Sequence, residues 1–165
     1  MSLRSTRWAV AALLLGAAPA LGCAAAWWLH PPPRLGECPG PIPSTLTLPA
    51  GDYVWHDRVR YRGGAVDVGF SLVAEKKGDR LVLVGLNSFG ARAFSVTQEQ
   101  QRVEAATRLG RALQVPPETV LRDWHAARAA ASAPPASIEL ARPECGYAAT
   151  FVAEARWSLT ASPSP

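Results

Sequence analysis

The side chains able to do chemistry in this chain are few and scattered. Three histidines, His30, His56 and His125, stand alone, and none is spaced with cysteine or carboxylate as a metal site requires. Asp123 lies two residues from His125, a separation that does not place two side chains on one helix face. There is no Gly-x-Ser-x-Gly elbow, no phosphate-cradling glycine loop and no recognisable frame of paired carboxylates. An enzyme is not expected, and no cofactor is implied. That leaves three cysteines, Cys23, Cys38 and Cys145, whose meaning depends on the compartment the chain enters.

The first thirty residues address that point. Met1 to Arg7 is short and basic, Ala9 to Ala18 is apolar with the run Leu13-Leu14-Leu15, and Ala20-Leu21-Gly22-Cys23 follows. This is the layout of a secretory signal over residues 1–22. The Ala-Leu-Gly-Cys ending resembles a bacterial lipobox, although Ala20 replaces the usual leucine. The resemblance implies cleavage before Cys23 and acylation of its thiol by palmitate-like chains, which anchor a protein to a membrane surface. Two readings compete: a retained anchor, since the 22 residues from Trp8 to Leu29 carry no charge, and ordinary cleavage without acylation. Pro19 and the small residues before Cys23 favour cleavage. By the sorting rule that resemblance brings, Ala24 after the cysteine points to the outer membrane, with the protein facing the periplasm. Trp27 and Trp28 would then sit at headgroup level.

Lipidation of Cys23 leaves Cys38 and Cys145 as an even pair in an oxidising compartment, in the similar settings Glu37-Cys38-Pro39-Gly40 and Glu144-Cys145-Gly146. A disulfide is expected; free thiols are the alternative, and no signature of a catalytic thiol surrounds either residue. Composition agrees with one small globular domain on a tether: 165 residues, 48% hydrophobic and 18% charged. The net charge of +4 falls to +2 once Arg4 and Arg7 leave with the signal, which removes any case for a nucleic-acid partner. Seven of the fifteen prolines lie between Pro31 and Pro49, so residues 23–50 read as a lipidated N-terminus and a stiff, extended spacer.

From residue 51 to 160 the hydrophobic period is two. Tyr53, Trp55, Val59 and Tyr61 alternate with His56, Arg58, Arg60 and Arg62, and Val66 to Ala74 alternates likewise after Gly63-Gly64. Short strands are expected over Leu81–Leu86, Arg92–Thr97 and Arg102–Thr107. One helix opens at Pro116-Pro117-Glu118-Thr119 and stops before Pro134-Pro135. Val120, Leu121, Trp124 and Ala127 form its apolar stripe, with Arg122, Asp123 and Arg128 facing away. Ile138 and Leu140 begin a further strand. In the last strand Phe151, Ala153, Ala155, Trp157 and Leu159 alternate with Glu154, Arg156 and Ser158, and residues 161–165 form a frayed tail. The fold class expected is mainly β: a curved antiparallel sheet forming an incomplete barrel with one covering α-helix. His56 and His125 are expected at the surface, and Arg58, Arg60 and Arg62 share a strand face that meets either solvent or anionic headgroups.

Two segments resemble a known family. Gly78-Asp79-Arg80-Leu81-Val82-Leu83-Val84-Gly85-Leu86-Asn87-Ser88-Phe89-Gly90 resembles the strand and loop of LolB-like outer-membrane lipoproteins, and Val115-Pro116-Pro117-Glu118-Thr119-Val120-Leu121-Arg122-Asp123-Trp124 resembles their helix and its lead. An uncharacterised family of bacterial lipoproteins shares the first segment and the strand Arg92-Ala93-Phe94-Ser95-Val96 after it. The resemblance spans Asp52 to Arg128. It implies an unclosed barrel whose apolar cavity holds acyl chains, lined here by Phe70, Leu72, Leu83, Phe94, Trp124, Phe151 and Trp157. It also implies a membrane-facing loop residue, Phe89, for which packing into its own core is the alternative. The chain is shorter than a full LolB, so a smaller cavity is expected. The leading function is binding of lipid or lipoprotein acyl chains at the membrane, with other lipoproteins or their carrier as further partners. The competing function, from another class, is a structural partner of an envelope complex with a filled interior.

Overall fold

In the computed structural model, residues 33–130 and 137–159 are described. The leader, Cys23, Trp27-Trp28 and the tail therefore lie outside the described residues. The sheet has seven strands: β1 (Tyr53–Gly63), β2 (Val66–Lys77), β3 (Arg80–Leu86), β4 (Arg92–Glu99), β5 (Arg102–Thr107), β6 (Ser137–Arg142) and β7 (Tyr147–Ser158). One helix, α1 (Pro117–Ala130), stands between β5 and β6. All pairings are antiparallel, in the order β5-β4-β3-β2-β1-β7-β6. The sheet does not close, so β5 and β6 remain as edges. Among the described residues the fold is mainly β with one α-helix, as the alternation predicts.

Alternation positions the core directly. Tyr53, Trp55, Val59 and Tyr61 of β1 point inward and are buried, while Arg58, Arg60 and Arg62 are exposed. The outer arginines meet carboxylates on neighbouring strands: Arg60 makes a two-pronged contact with Asp67 at 2.7 Å for both bonds, and Arg58 pairs with Glu154. Such exposed pairs add little stability. Helix α1 touches β4 and β5 at one end of the strand order and β6 and β7 at the other. The sheet is therefore curled around the helix, and the helix fills the trough. Gly85 on β3 makes room for this packing, because a methyl group there would overlap the Phe94 ring.

Two findings correct the expected layout. The first is in β7. Ala153 pairs with Asp57 and Ala155 with His56, so Glu154 is an extra residue in a β-bulge. A one-residue insertion exchanges the two faces of everything beyond it. Arg156 therefore turns inward and Trp157 outward, where it is 52% exposed and packs edge-on against the His56 ring at 5.9 Å. Trp157 is consequently not among the inward-facing residues.

The second correction concerns the proline-rich segment, which over residues 33–50 is a strap on the domain and not a free spacer. Leu35, Cys38, Thr45 and Leu48 are buried. The Leu35 amide donates to Gln114 O at 2.8 Å and the Thr45 amide to Gln100 O at 3.1 Å. The Thr45 hydroxyl donates to Asp79 O at 2.8 Å, and Arg122 on α1 donates to Cys38 O. The Cys38–Cys145 disulfide ties the strap to the turn before β7. Among the described residues no helix is long and apolar enough to cross a membrane.

Candidate functional site

Asp57 is the inward-facing residue of β1 between Trp55 and Val59, and it is 1% exposed. A carboxylate placed there must find donors or pay a large desolvation cost. Both come from α1: Trp124 Nε1 donates to Oδ2 at 2.9 Å, and Arg128 Nη2 donates to Oδ1 at 2.7 Å. Arg128 is itself buried, and its guanidinium lies 4.3 Å from the centroid of the Trp55 ring. Arg156, turned inward by the bulge, lies 5.0 Å from the same ring and 4.9 Å from that of Tyr53. Two cations thus share one indole, each attracted by its ring face.

A second buried carboxylate, Asp123, is bonded on every side. It accepts from the Tyr147 hydroxyl at 2.8 Å, the Tyr61 hydroxyl at 3.2 Å and Arg142 Nε at 3.1 Å. The third polar cluster joins strap, sheet and helix. Gln98 Nε2 donates to Pro43 O at 2.6 Å and Gln100 O at 2.8 Å, which orients its Oε1 toward His125 Nε2 at 2.7 Å. His125 Nε2 must then carry the proton, leaving Nδ1 as a bare acceptor.

Burial sets the protonation of these groups. It lowers the His125 pKa to about 4, so the ring is neutral. Burial also raises the Asp57 pKa, outweighing the lowering effect of Arg128, and it lowers that of Arg128 against the opposing pull of Asp57. The Tyr53 phenol is pushed up to about 12, again by burial first, and Tyr61 is held well above its ordinary value by burial and then by Asp123.

Between the strap and α1 lies a cleft of about 890 Å³, within the range of small-molecule sites. Strap residues including Pro39, Pro41, Pro43 and Leu48 form one wall. The facing wall carries Ala126 and Ala129 of α1 together with His125, Arg122 and Arg128, and Arg142 and Arg156 complete it. Glu118, Arg122, Ala126 and Ala129 are the helix positions least buried among their neighbours, a stripe at helical spacing. No acidic side chain lines the cleft among the described residues.

The residues expected to line an acyl-chain cavity are mostly elsewhere. Leu72, Leu83, Phe94, Trp124 and Phe151 are almost completely buried in one continuous core, and Phe70 packs half-buried against it, stacked on Tyr61. Trp157 is on the outside, as described. Phe89 is 93% exposed at the turn between β3 and β4, so the alternative of packing into its own core is excluded. Asn87 fixes that turn by accepting from the Phe89 amide at 3.0 Å and the Ala91 amide at 2.9 Å.

Asp123, His125 and Arg128 correct the expectation that they face solvent: each is buried. The sheet wraps the helix, so these three side chains are cut off from water, and tyrosine hydroxyls from β1 and β7, the Asp57 carboxylate of β1 and the Gln98 amide of β4 replace it. One signal for this was present in the sequence. Asp57 occupies an inward phase of an otherwise regular strand, and a charge there demands a partner.

Residues 56–161 match the family model described as "Protein of unknown function (DUF3261)". No curated protein matches the chain.

Proposed function

This chain belongs to the DUF3261 family, and we propose that it is a membrane-anchored envelope lipoprotein that binds an acyl chain or lipid in the cleft beneath its strap. The cleft carries the reading: about 890 Å³ between proline-rich strap and helix, with Pro39, Pro41, Pro43, Leu48, Ala126 and Ala129 supplying apolar wall beside its arginines. Concave, mostly apolar sites with a few fixed polar groups are where amphiphilic ligands bind. The leader and Cys23 supply the anchor, with the outer membrane facing the periplasm as the destination. The resemblance to LolB-like lipoproteins supports the same reading, through its open sheet and covering helix. Phe89, held out by a rigid turn, is suited to touch the membrane surface, and other lipoproteins or their carrier would be the protein partners. No catalytic role is proposed.

A second reading is favoured by a different observation. The trough of the sheet is filled by α1, and Val152, Trp157 and Leu159 lie exposed on or just beyond β7. A packed interior with apolar residues outside suits a structural partner of an envelope complex.

Native mass spectrometry of the protein purified without added lipid tests the first reading. Co-purified fatty acid or phospholipid, lost when Leu48 or Ala126 is replaced by glutamate, is the expected result. A bare protein that takes up no acyl-chain probe would overturn it in favour of the second.

A further inference from the structure

The cations in the cleft exceed what the carboxylates around them can neutralise. Arg122, Arg128, Arg142 and Arg156 line it. Asp57 takes up Arg128 through one nitrogen, and Asp123 takes up Arg142. Arg122 and Arg156 have no carboxylate partner among the described residues. Arg128 is nine-tenths buried and more, yet among the described residues its Nε and Nη1 find no acceptor, and neither do Arg122 Nε and Arg156 Nε. Buried guanidinium donors without acceptors are unfavourable, and in a site screened from water an anion relieves them strongly. Arg is also the side chain whose planar donor set matches carboxylate and phosphate oxygens.

We infer that the strap cleft contains an anion subsite in which Arg128 and Arg156, joined through the Trp55 ring, receive the carboxylate or phosphate head of an amphiphile. The inference rests on the proposed function for the chain end of that ligand and adds the chemical class of its head. Placement explains the bulge in β7. Without the inserted Glu154, the alternation of the strand would put Arg156 outside and Trp157 inward, and the cleft would lose one of its two guanidinium groups that have no carboxylate partner among the described residues. The bare Nδ1 of His125, also in the cleft, offers one acceptor to a hydroxyl near the head group.

The test uses the full chain held in a lipid-free amphipathic polymer. Photoactivatable hexadecanoate, hexadecyl phosphate and hexadecanol are compared as probes of equal chain length, alongside inorganic phosphate as competitor. The anionic probes are expected to crosslink to the strap or α1 and to bind at least about tenfold more tightly than the alcohol, as charge-assisted hydrogen bonds require. The stronger of the two anions identifies the head. Arg156→Gln, which leaves the Asp57–Arg128 pair intact, is expected to remove most of that difference without weakening hexadecanol. Equal binding of all three probes overturns the anion subsite while leaving the acyl-chain reading in place. Binding of inorganic phosphate, abolished by Arg156→Gln, with no uptake of any chain probe, upholds the subsite and overturns the acyl-chain reading. If no probe binds at all, both fall.

Discussion

Asp57 and Arg128 form an ion pair whose side chains are 0% and 2% exposed, and its removal in parts separates its several roles. Asp57→Ala leaves Arg128 buried without a counter-charge and takes the acceptor from Trp124 Nε1. Breaking a buried pair from one side costs about 3–5 kcal/mol, a large share of the roughly 5–15 kcal/mol that holds a domain of this size together. With a urea dependence of about 2 kcal/mol/M, the unfolding midpoint should fall by roughly 2 M. Asp57→Asn keeps an oxygen for Trp124 and should lose about 1 kcal/mol less. The double variant Asp57→Leu with Arg128→Met exchanges the pair for apolar groups and should return to within about 2 kcal/mol of the parent, because burial opposes the charged form of both partners. Equilibrium urea unfolding followed by tryptophan fluorescence of the parent, Asp57→Leu, Arg128→Met and the double variant gives the four corners of the cycle, with equal slopes required for comparison. Simple addition of the two single losses in the double variant, or a loss below about 1 kcal/mol for Asp57→Ala, would show that the pair is not buried and coupled as described.

Four further outcomes follow from the same packing. His125 has a folded pKa of about 4 against an ordinary 6.5, so the unfolded chain binds the extra proton first; stability is full above pH 6.5 and falls by roughly 3 kcal/mol on the way to pH 4. Denaturation of His125→Asn across that range should show a correspondingly flatter profile, Asp57 being common to both proteins. Replacing Cys38 and Cys145 by serine should cost about 2–5 kcal/mol and speed hydrogen exchange at the Leu35 and Thr45 amides; unchanged exchange there would mean the strap is held without the disulfide. Gly85→Ala should cost about 1–3 kcal/mol by displacing Phe94, while Gly69→Ala, where the nearest atom is Val59 O at 3.6 Å, should cost under about 1 kcal/mol in the same assay. Thermal unfolding of Trp157→Ala should reveal a loss under about 1 kcal/mol against about 3–5 kcal/mol for Trp124→Ala; a reversed order would put Trp157 back inside.

The strands were legible because their signal is local. Period-two alternation in β1 and β2 and the turn residues at Gly63-Gly64 and Gly78 fix both pairing and face without reference to the rest of the chain. The bulge at Glu154 was not, since an inserted residue leaves no mark in the alternation of β7 itself. It is defined only by the register of β1 opposite. Reading β7 alone therefore put Trp157 inside and Arg156 outside, the reverse of their places. The strap posed a similar difficulty. Proline richness correctly gives an extended chain, but what an extended chain lies against is decided by Gln98, Gln100 and Asp79, far away in sequence.

The helix shows why the candidate site itself was hidden. An amphipathic reading assumes that one side of a helix meets water, and it assigned Asp123 and Arg128 to that side. A sheet that wraps far enough to touch α1 from β4, β5, β6 and β7 removes the assumption, and each polar group on the helix must then be satisfied from the sheet. Tyrosine and tryptophan can do this at inward positions without forfeiting apolar contact, since each carries one donor at the end of a large ring. Tyr61 and Tyr147 serve Asp123 in that way, and in the opposite direction Trp124 of the helix serves Asp57 of the sheet. Apart from the Trp55 indole N–H, the buried side-chain donors that remain unserved among the described residues are guanidinium nitrogens of Arg122, Arg128 and Arg156, three residues that line the cleft between strap and helix. A core that satisfies its carboxylates this fully while leaving its cations open is built to receive negative charge from outside the chain.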